Sequence, residues 1–239
     1  MNLTGSVHCL FEQSGTFKRA FQEFGIHAID YDIQNTYGQT DYVCDIFKDI
    51  RLAWSGQRSM FDYVRPDYDL TLAFFPCIYF SEYNVNMFCG LSYGYRTMSR
   101  RECIEYILRR DEERAQYYRL LMQLCAIYEL SGKRLIVENP FGVNHYLYNN
   151  FPYAPGVVDF NRRARGDYFR KPTQYIFINC APANGMTYQR PRNVRRIDDH
   201  HNDHKGNKQR SEISPEYARN FIRDFILGKP TNNSQLAIF

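Results

Sequence analysis

A cysteine and a glutamate, each directly after an apolar run, are the residues of this chain best placed for covalent chemistry. Cys77 follows Pro76 and the strand-like run 69–75, and Glu138 follows the apolar run 134–137. A thiolate is a strong nucleophile, and a carboxyl group in a closed pocket can donate or accept a proton. Because parallel strands place their carboxyl ends at one edge of a sheet, we expect both side chains at that edge. For Cys77 alone, the alternative is a buried structural cysteine.

Two aspartates follow the earlier strand-like runs. Asp32, with Asp30 as the second choice, lies at the end of the run that begins at Ile26, and Asp45 follows the short run 42–44. A carboxylate at the end of such a strand can accept hydrogen bonds from both hydroxyls of a ribose. For either aspartate alone, a helix cap or a solvated turn is the alternative.

The elements that must position these residues alternate between strands and helices, which predicts an α/β fold with parallel pairing and right-handed crossovers. The predicted strands are 6–11, 26–31, 42–44, 69–75, 134–137 and 174–179. The predicted helices are 17–24, 99–130 and 215–227. Each of the first two helices ends at a glycine, Gly25 and Gly132, a residue common after helix C-termini.

Two segments lack a clean period. Residues 82–100 are interpreted either as a loop that covers the site or as a packed surface excursion. Residues 181–210 are polar, basic and poor in aliphatic side chains, which predicts an extended or mobile loop. We therefore divide the chain into a catalytic domain at 1–180, a basic polar loop at 181–210, and a C-terminal helix and tail at 211–239, with the helix packing back on the catalytic domain.

The composition is that of a globular protein with one full-sized core. The chain has 239 residues, 44% of them hydrophobic, and a net charge of +4, which permits a polyanionic partner without requiring one. Its seven cysteines are scattered without a CxxC pair, so neither a zinc knuckle nor a disulfide framework is expected. The spacing of His200, His201, Asp203 and His204 fits no closed zinc site, and no metal is expected. Because no signal-peptide pattern or membrane-spanning run occurs, we expect a soluble, cytoplasmic protein.

Five segments, taken in order, resemble those of the cytosine-C5 DNA methyltransferases. They are Leu10-Phe11-Glu12-Gln13-Ser14-Gly15-Thr16-Phe17, Ile29-Asp30-Tyr31-Asp32 with Cys44-Asp45-Ile46, Pro76-Cys77-Ile78-Tyr79-Phe80-Ser81, and Glu138-Asn139-Pro140. The likeness is closest to the short methyltransferase-like proteins of phages and mobile elements. Further on, the segment 166–173, which contains Arg-Lys-Pro-Thr, resembles a conserved segment of the short members.

The resemblance implies a Rossmann-like S-adenosylmethionine (SAM)-dependent methyltransferase sheet with helices on both faces, and a covalent mechanism. It implies that Cys77 adds to C6 of cytosine and that Glu138 contacts N3 and the amino group of the base. The residues it implies for SAM are Phe11, Gly15, Asp32, Asp45 and Pro76, and those for the substrate are Ser81, Asn139, Arg170 and Lys171. Gln13, Phe75 and Ile78 depart from the family pattern, and Gln13 stands where a glycine is usual.

The resemblance implies DNA as the substrate, with RNA or a free nucleotide as alternatives. Arg162, Arg163 and Arg165 are expected to extend the basic patch around Arg170 and Lys171, which suits a polyanion. The 181–210 segment is too short for an independent target-recognition domain, so that domain is expected to be reduced or absent, and a protein partner could supply recognition. A SAM-binding or nucleic-acid-binding protein without catalysis is the third reading.

Overall fold

A seven-stranded sheet organises the protein. The computed structural model describes residues 1–81, 85–183 and 212–228. The strands are β1 (Val7–Leu10), β2 (Ala28–Asp32), β3 (Tyr42–Val43), β4 (Leu70–Ala73), β5 (Arg134–Pro140), β6 (Val157–Asp159) and β7 (Thr173–Ile178). Their order across the sheet is β3-β2-β1-β4-β5-β7-β6. The first five strands are parallel and follow the 3-2-1-4-5 order of a doubly wound fold, so the predicted α/β class with parallel pairing is confirmed.

Helices cover both faces of this sheet. They are α1 (Thr16–Glu23), α2 (Ile46–Trp54), α3 (Val85–Phe88), α4 (Arg100–Leu130), α5 (Tyr146–Asn150) and α6 (Pro215–Phe221), which continues as a π-helix at Ile222–Leu227. Short 3-10 helices occupy Met60–Tyr63, Tyr93–Thr97 and Arg162–Ala164. Within the described ranges, no helix combines the length and the apolar character needed to cross a membrane.

Alternating side chains of the strands enter two apolar clusters, one on each face. On β1, Val7 and Cys9 join the cluster that contains residues of α1 and α6, whereas Leu10 joins the cluster that contains residues of α2 and α4. All of these strand side chains are fully buried. The period of two therefore sends neighbouring residues to opposite faces and fixes the register of the strand.

The carboxyl half of the sheet differs from the prediction. The predicted strand 174–179 is present as β7, but it runs antiparallel to β5. The three-residue β6 was not predicted, and it pairs antiparallel with β7 at the edge of the sheet. So short a strand carries no readable period of its own and is defined by its hydrogen bonds to β7.

The segment after Ser81 packs against the long helix. Val85–Phe88 forms α3, and the Tyr95 ring lies edge-on to the Tyr106 ring of α4 at 5.7 Å between centroids. Of the two interpretations offered for residues 82–100, the packed excursion describes 85–97; residues 82–84 lie outside the described part.

The last helix, α6, packs beside α1 on the same face of the sheet. The Ser214 hydroxyl caps α6 by accepting a hydrogen bond from the Tyr217 amide at 3.0 Å. The Tyr217 hydroxyl lies 2.8 Å from that of Tyr175 on β7, and the Phe221 ring lies 5.9 Å from that of Phe17 on α1. These contacts seat residues 212–228 on the sheet domain. Most of the predicted 181–210 loop, from 184 onward, lies outside the described residues.

Candidate active site

Cys77 and Glu138 lie at the ends of neighbouring strands. β4 and β5 are paired in parallel, Cys77 follows β4 after a short turn, and Glu138 is the fifth residue of β5. The pKa of the half-buried Cys77 thiol is raised above its ordinary value, mainly by burial; the positive charge of Lys171 opposes the rise and the negative charge of Glu138 adds to it. The sheet register thus brings one thiol, one carboxylate and one ammonium group to the same edge of the sheet.

The Glu138 carboxylate holds a buried oxygen that is open to a ligand. Glu138 is 7% exposed, and its Oε1 has no hydrogen-bond partner among the described residues. The Nη1 atom of Arg162 lies 3.9 Å from that oxygen. A buried carboxylate oxygen without a donor is unfavourable by itself, because it has lost its water. Such an atom is available to accept a hydrogen bond from a bound molecule.

Asn139 lies beneath the site and ties its two strands together. Its side chain is fully buried, and its Nδ2 donates to the Phe75 carbonyl at 3.1 Å. Phe75 is the residue just before Pro76, so this bond fixes the start of the cysteine turn. The observed contact of Asn139 is therefore with the protein backbone; its Oδ1 is buried without a partner in the described part of the chain.

The turn after Cys77 is compact. The amides of Phe80 and Ser81 both donate to the Cys77 carbonyl, at 2.9 and 3.1 Å. The Phe80 carbonyl accepts from the Tyr146 amide of α5 at 2.9 Å. Ser81 is half-buried next to this turn, whereas Ile78 is 52% exposed. The thiol is therefore presented by a backbone that is hydrogen-bonded on both sides.

The two predicted cofactor aspartates are brought together at the other end of the same edge. Cys44 donates its amide to the Asp32 carbonyl at 2.9 Å. Burial and the charges of Asp49, Asp32 and Asp45 raise the pKa of the Cys44 thiol. Asp32 is buried and its Oδ1 accepts from the Gln34 amide at 2.7 Å, while Asp45 is exposed and caps α2 through the Lys48 amide at 3.1 Å. The helix cap offered as the alternative for Asp45 is thus present.

Asp30 belongs to a buried ion-pair network. Its Oδ1 accepts from the Lys18 ammonium at 3.0 Å and from the Asp41 amide at 2.7 Å. Lys18 also pairs with the Asp41 carboxylate at 3.0 Å. This oxygen holds α1 to β2, whereas Asp30 Oδ2 is buried without a hydrogen-bond partner among the described residues.

The turn between β1 and α1 is strained where the predicted glycine motif lies. Phe11 and Gly15 both have left-handed backbones, with φ of 59° and 62°. For Phe11 this conformation costs on the order of 1–3 kcal/mol, and such strain is concentrated at functional sites. The Phe11 ring packs at 5.4 Å from the rings of Phe47 and Phe75, so it lies beside the residue that precedes Pro76. Pro76 itself is half-buried.

Glu12 occupies the amino end of α1, which the sequence analysis did not anticipate. Its carboxylate accepts from the Phe17 amide at 2.6 Å and from the Lys18 amide at 3.2 Å. Burial raises the pKa of Glu12 to about 7, although these two amides lower it. The free amides that a helix N-terminus offers to an anion are thus taken by the chain's own carboxylate. The signal in the sequence was an acidic residue four positions before the first helical residue.

The predicted basic patch is smaller than its sequence suggests. Arg162 is fully buried and paired with Asp167, and Arg165 is 6% exposed and bonded to Asp159 at 2.7 Å. The expectation that Arg162 and Arg165 extend the patch is therefore wrong, because nearby aspartates pair with them and the rings of Tyr217 and Phe225, far along the chain, pack against their guanidinium groups. Arg163 and Lys171 are half-buried and Arg170 is exposed, so these three residues form the basic surface.

His145, at the start of α5, is a second residue that the sequence analysis did not single out. It is 1% exposed, and neither ring nitrogen has a hydrogen-bond partner in the described part of the chain. Burial lowers the pKa of His145 to about 4 from its ordinary value of 6.5. The imidazole is thus neutral at pH 7 and excluded from water.

We expect His145→Leu to make the protein less sensitive to acid. In the wild type the unfolded chain binds a proton at His145 near pH 6.5 and the folded chain only near pH 4. The free energy of unfolding therefore decreases as the pH falls from about 6.5 to about 4, by about 3 kcal/mol in total. Urea unfolding at pH 7, 5.5 and 4.5 measures the loss, which the variant should largely avoid.

The pH dependence of stability must be compared between the wild type and the variants, because Glu12 changes stability with pH in the opposite direction. Its raised pKa, about 7 against 4.5, contributes stability that is complete below pH 4.5 and lost as the pH rises through 7. His27→Leu, at an exposed histidine, is the matched control. An equal flattening of the pH profile in both variants would contradict the assignment to His145.

No group of three or more histidine, cysteine or acidic side chains suited to a metal ion occurs in residues 1–81, 85–183 and 212–228. His200, His201, Asp203 and His204 lie outside these ranges. No protein-family model matches the chain, and no curated protein matches it significantly in sequence.

Proposed function

We propose that the protein is a SAM-dependent methyltransferase that transfers a methyl group to C5 of cytosine in DNA through a covalent Cys77 adduct. One observation carries the proposal: the Cys77 thiol interacts electrostatically with Glu138 and Lys171 at the ends of paired strands, where a buried Glu138 oxygen lacks a partner among the described residues. Attack on a ring that carries an amino group requires a nucleophile next to a group that can accept a hydrogen bond from the amino group. Cys77 and Glu138 would fill these two roles.

The chemistry needs a soft nucleophile because C5 of cytosine is a weak nucleophile by itself. Addition of the Cys77 thiolate to C6 moves electron density onto C5, where the methyl group is accepted. Loss of the C5 proton then breaks the Cys77–C6 bond, which restores the ring and releases the thiolate. Glu138 can accept a hydrogen bond from the amino group of the base and interact with N3 while the ring gains charge. Lys171 favours the thiolate, because its charge opposes the rise in the pKa of Cys77 that burial causes.

The residues at the ends of β2 and β3 fit the nucleoside part of SAM. Asp32 can accept from ribose hydroxyls, Asp45 from an adenine amino group, and Ile33 leaves an apolar side chain 63% exposed next to them. When bound, SAM supplies the methyl group that is transferred. The sheet order, with an antiparallel β7 between β5 and β6, is compatible with the Rossmann-like sheet of SAM-dependent methyltransferases and supports this placement.

The turn before α1 favours a second candidate function, that of a protein that binds SAM or nucleic acid without catalysis. Gln13 stands where the family has glycine, and Glu12 fills the amino end of α1. The methionine end of SAM must therefore bind through groups other than the Phe17 and Lys18 amides. SAM affinity decides whether this substitution is tolerated.

The test is transfer of a labelled methyl group from SAM to DNA, RNA and free cytidine nucleotides offered separately to the full chain. Label on C5 of cytosine in DNA is the expected result. Label on RNA or nucleotide alone would keep the reaction and change the substrate. Binding of SAM without transfer to any of them would favour the non-catalytic reading, and absence of SAM binding would overturn the cofactor assignment.

We expect Asp32→Ala and Asp45→Ala to weaken SAM binding. Each removes a charged acceptor, and hydrogen bonds to charged groups contribute about 1.5–3 kcal/mol, or roughly 10- to 100-fold in Kd. Isothermal titration calorimetry of the purified variants measures the change. Asp111→Asn, at an exposed position on α4, is the matched control and should bind as the wild type does.

Asp45 requires a second variant because it also caps α2. Alanine there costs about 1 kcal/mol of stability, whereas serine keeps a capping oxygen. Asp45→Ser should restore stability without restoring SAM affinity. If Asp45→Ser binds SAM as tightly as the wild type, Asp45 is a helix cap and nothing more.

A further inference from the structure

An exposed aromatic cluster lies directly after the strand that carries Glu138. Phe141 stands between Tyr148 and Phe160, with ring centroids 5.5 and 5.4 Å away and both ring pairs edge-to-face at 87°. Tyr148 is 51% exposed and Phe160 is 64% exposed. We call these three rings the aromatic platform. Its outer rings keep broad apolar surface in contact with water, which is unfavourable unless a partner covers it.

The sheet topology places the platform at the edge that carries Cys77. β5 and β6 both run antiparallel to β7, so they point in the same direction. Phe141 directly follows β5 and Phe160 directly follows β6, and both therefore emerge at the carboxyl edge of the sheet. The Phe141 amide donates to the Pro172 carbonyl at 2.9 Å, which joins the platform to the Arg170-Lys171 turn.

The neighbourhood of the platform is positively charged. Arg170 is exposed, and Lys171 lies close enough to Cys77 to lower the pKa of its thiol. Rings beside cations suit a partner with flat faces and negative charges, and bases on a phosphate backbone have both. A duplex offers its base faces only to neighbouring base pairs, whereas an unpaired base can stack on a side chain.

We propose that the aromatic platform stacks on an unpaired base beside the target cytosine, so that the preferred substrate is a single-stranded nucleic acid. The inference rests on the proposed function, since it takes the Cys77 site as the place of the target. Arg170 and Lys171 then contact the backbone that joins the two nucleotides. Duplex DNA would bind through charge alone, and a free nucleotide would leave the platform uncovered.

The test is binding of labelled oligonucleotides to the full chain, followed by fluorescence anisotropy at one fixed salt concentration. The probes are a 12-nucleotide DNA strand, the same strand in duplex, the RNA strand of the same sequence, and cytidine monophosphate as competitor. We expect the single strands to bind at least tenfold more tightly than the duplex. Bases of DNA and RNA strands stack on aromatic rings in the same way. The difference in affinity between the two strands therefore identifies which nucleic acid is the substrate.

Variants of the platform make the test specific. Phe160→Ala and Tyr148→Ala should each weaken single-strand binding by roughly 5- to 100-fold, the range expected for loss of one stacked base, whereas Phe160→Tyr should retain it. Tyr68→Ala is the matched control, because Tyr68 is 54% exposed and precedes β4 at the opposite edge of the sheet. Both platform rings that are replaced are exposed, and circular dichroism verifies the fold of each variant.

The outcomes separate this inference from the proposed function, because binding is measured without methyl transfer. Single-strand preference that is lost in Phe160→Ala supports the platform even if no methyl group is transferred. Equal binding of duplex and single strand, unchanged binding by both alanine variants, or full displacement by cytidine monophosphate at equal concentration would each overturn it. Methyl transfer to duplex DNA that is indifferent to these substitutions would overturn the platform and leave the proposed function standing.

Discussion

Replacing Cys77 with alanine is expected to abolish methyl transfer while SAM binding stays nearly unchanged. The thiol is the group that would add to C6 of the base, and the variant has no other nucleophile at that position. Loss of the nucleophile in enzymes with covalent mechanisms costs roughly 10⁴-fold or more in rate. The labelled-methyl assay measures the loss, and calorimetry with SAM verifies that the cofactor site is intact.

Cys89→Ala is the matched control for this experiment. It makes the same chemical change at an exposed free cysteine in the 85–97 segment, and its rate should equal that of the wild type. An oligonucleotide with fluorine at C5 of cytosine should trap the wild type in a covalent adduct, because the fluorine cannot leave as the proton does. Transfer by Cys77→Ala at the wild-type rate, or an equally stable adduct in that variant, would show that Cys77 is not the nucleophile.

Replacing Arg162 with methionine is expected to destabilise the fold by about 3–5 kcal/mol. Arg162 is fully buried, its guanidinium lies 4.6 Å above the Tyr217 ring, and it is the cation paired with Asp167. Asp167 also accepts from the Ser214 amide at 3.0 Å, so the pair links the site to the start of α6. Without the cation, two buried carboxylates, those of Asp167 and Glu138, lose a neighbouring positive charge. Urea unfolding at pH 7 measures the change.

Two further variants locate the effect in the ion pair. Arg163→Met makes the same change at a half-buried neighbour and should alter stability by about 0.5 kcal/mol or less. Adding Asp167→Asn to Arg162→Met removes the unpaired carboxylate but keeps an oxygen for the Ser214 amide, and should recover about 1 kcal/mol or more. A loss below about 1 kcal/mol in Arg162→Met would contradict the interpretation that this pair is needed for the fold.

Six of the seven strands, and the positions of Cys77 and Glu138 after two of them, could be predicted from sequence because their signals are local. The apolar runs before Cys77 and Glu138 have the length of buried strands. The turns that separate the predicted strands and helices contain glycine or proline. Parallel pairing then follows from the intervening helices, and it places both residues at one edge. Asp32 and Asp45 were found in the same way, as polar residues that follow short apolar runs.

Tertiary structure decided what depends on partners far along the chain. The Tyr217 ring packs against Arg162 from 55 positions away, and the Phe225 ring packs against Arg165 from 60 positions away. No local pattern distinguishes these two buried arginines from the exposed Arg170. The same holds for β6, whose three residues acquire strand structure only through β7.

By itself the sequence determined the alternation of strands and helices and the position of four residues at strand ends: Cys77, Glu138, Asp32 and Asp45. Both can be predicted because the spacing of hydrophobic residues is visible within a few consecutive positions. Only the folded chain decided which charges are buried, that Glu12 closes the amino end of α1, and that three aromatic rings meet beside the site. Burial and ion pairing are sums over neighbours in space, and the chain brings those neighbours from tens of positions away, 47 in the case of Ser214 and Asp167.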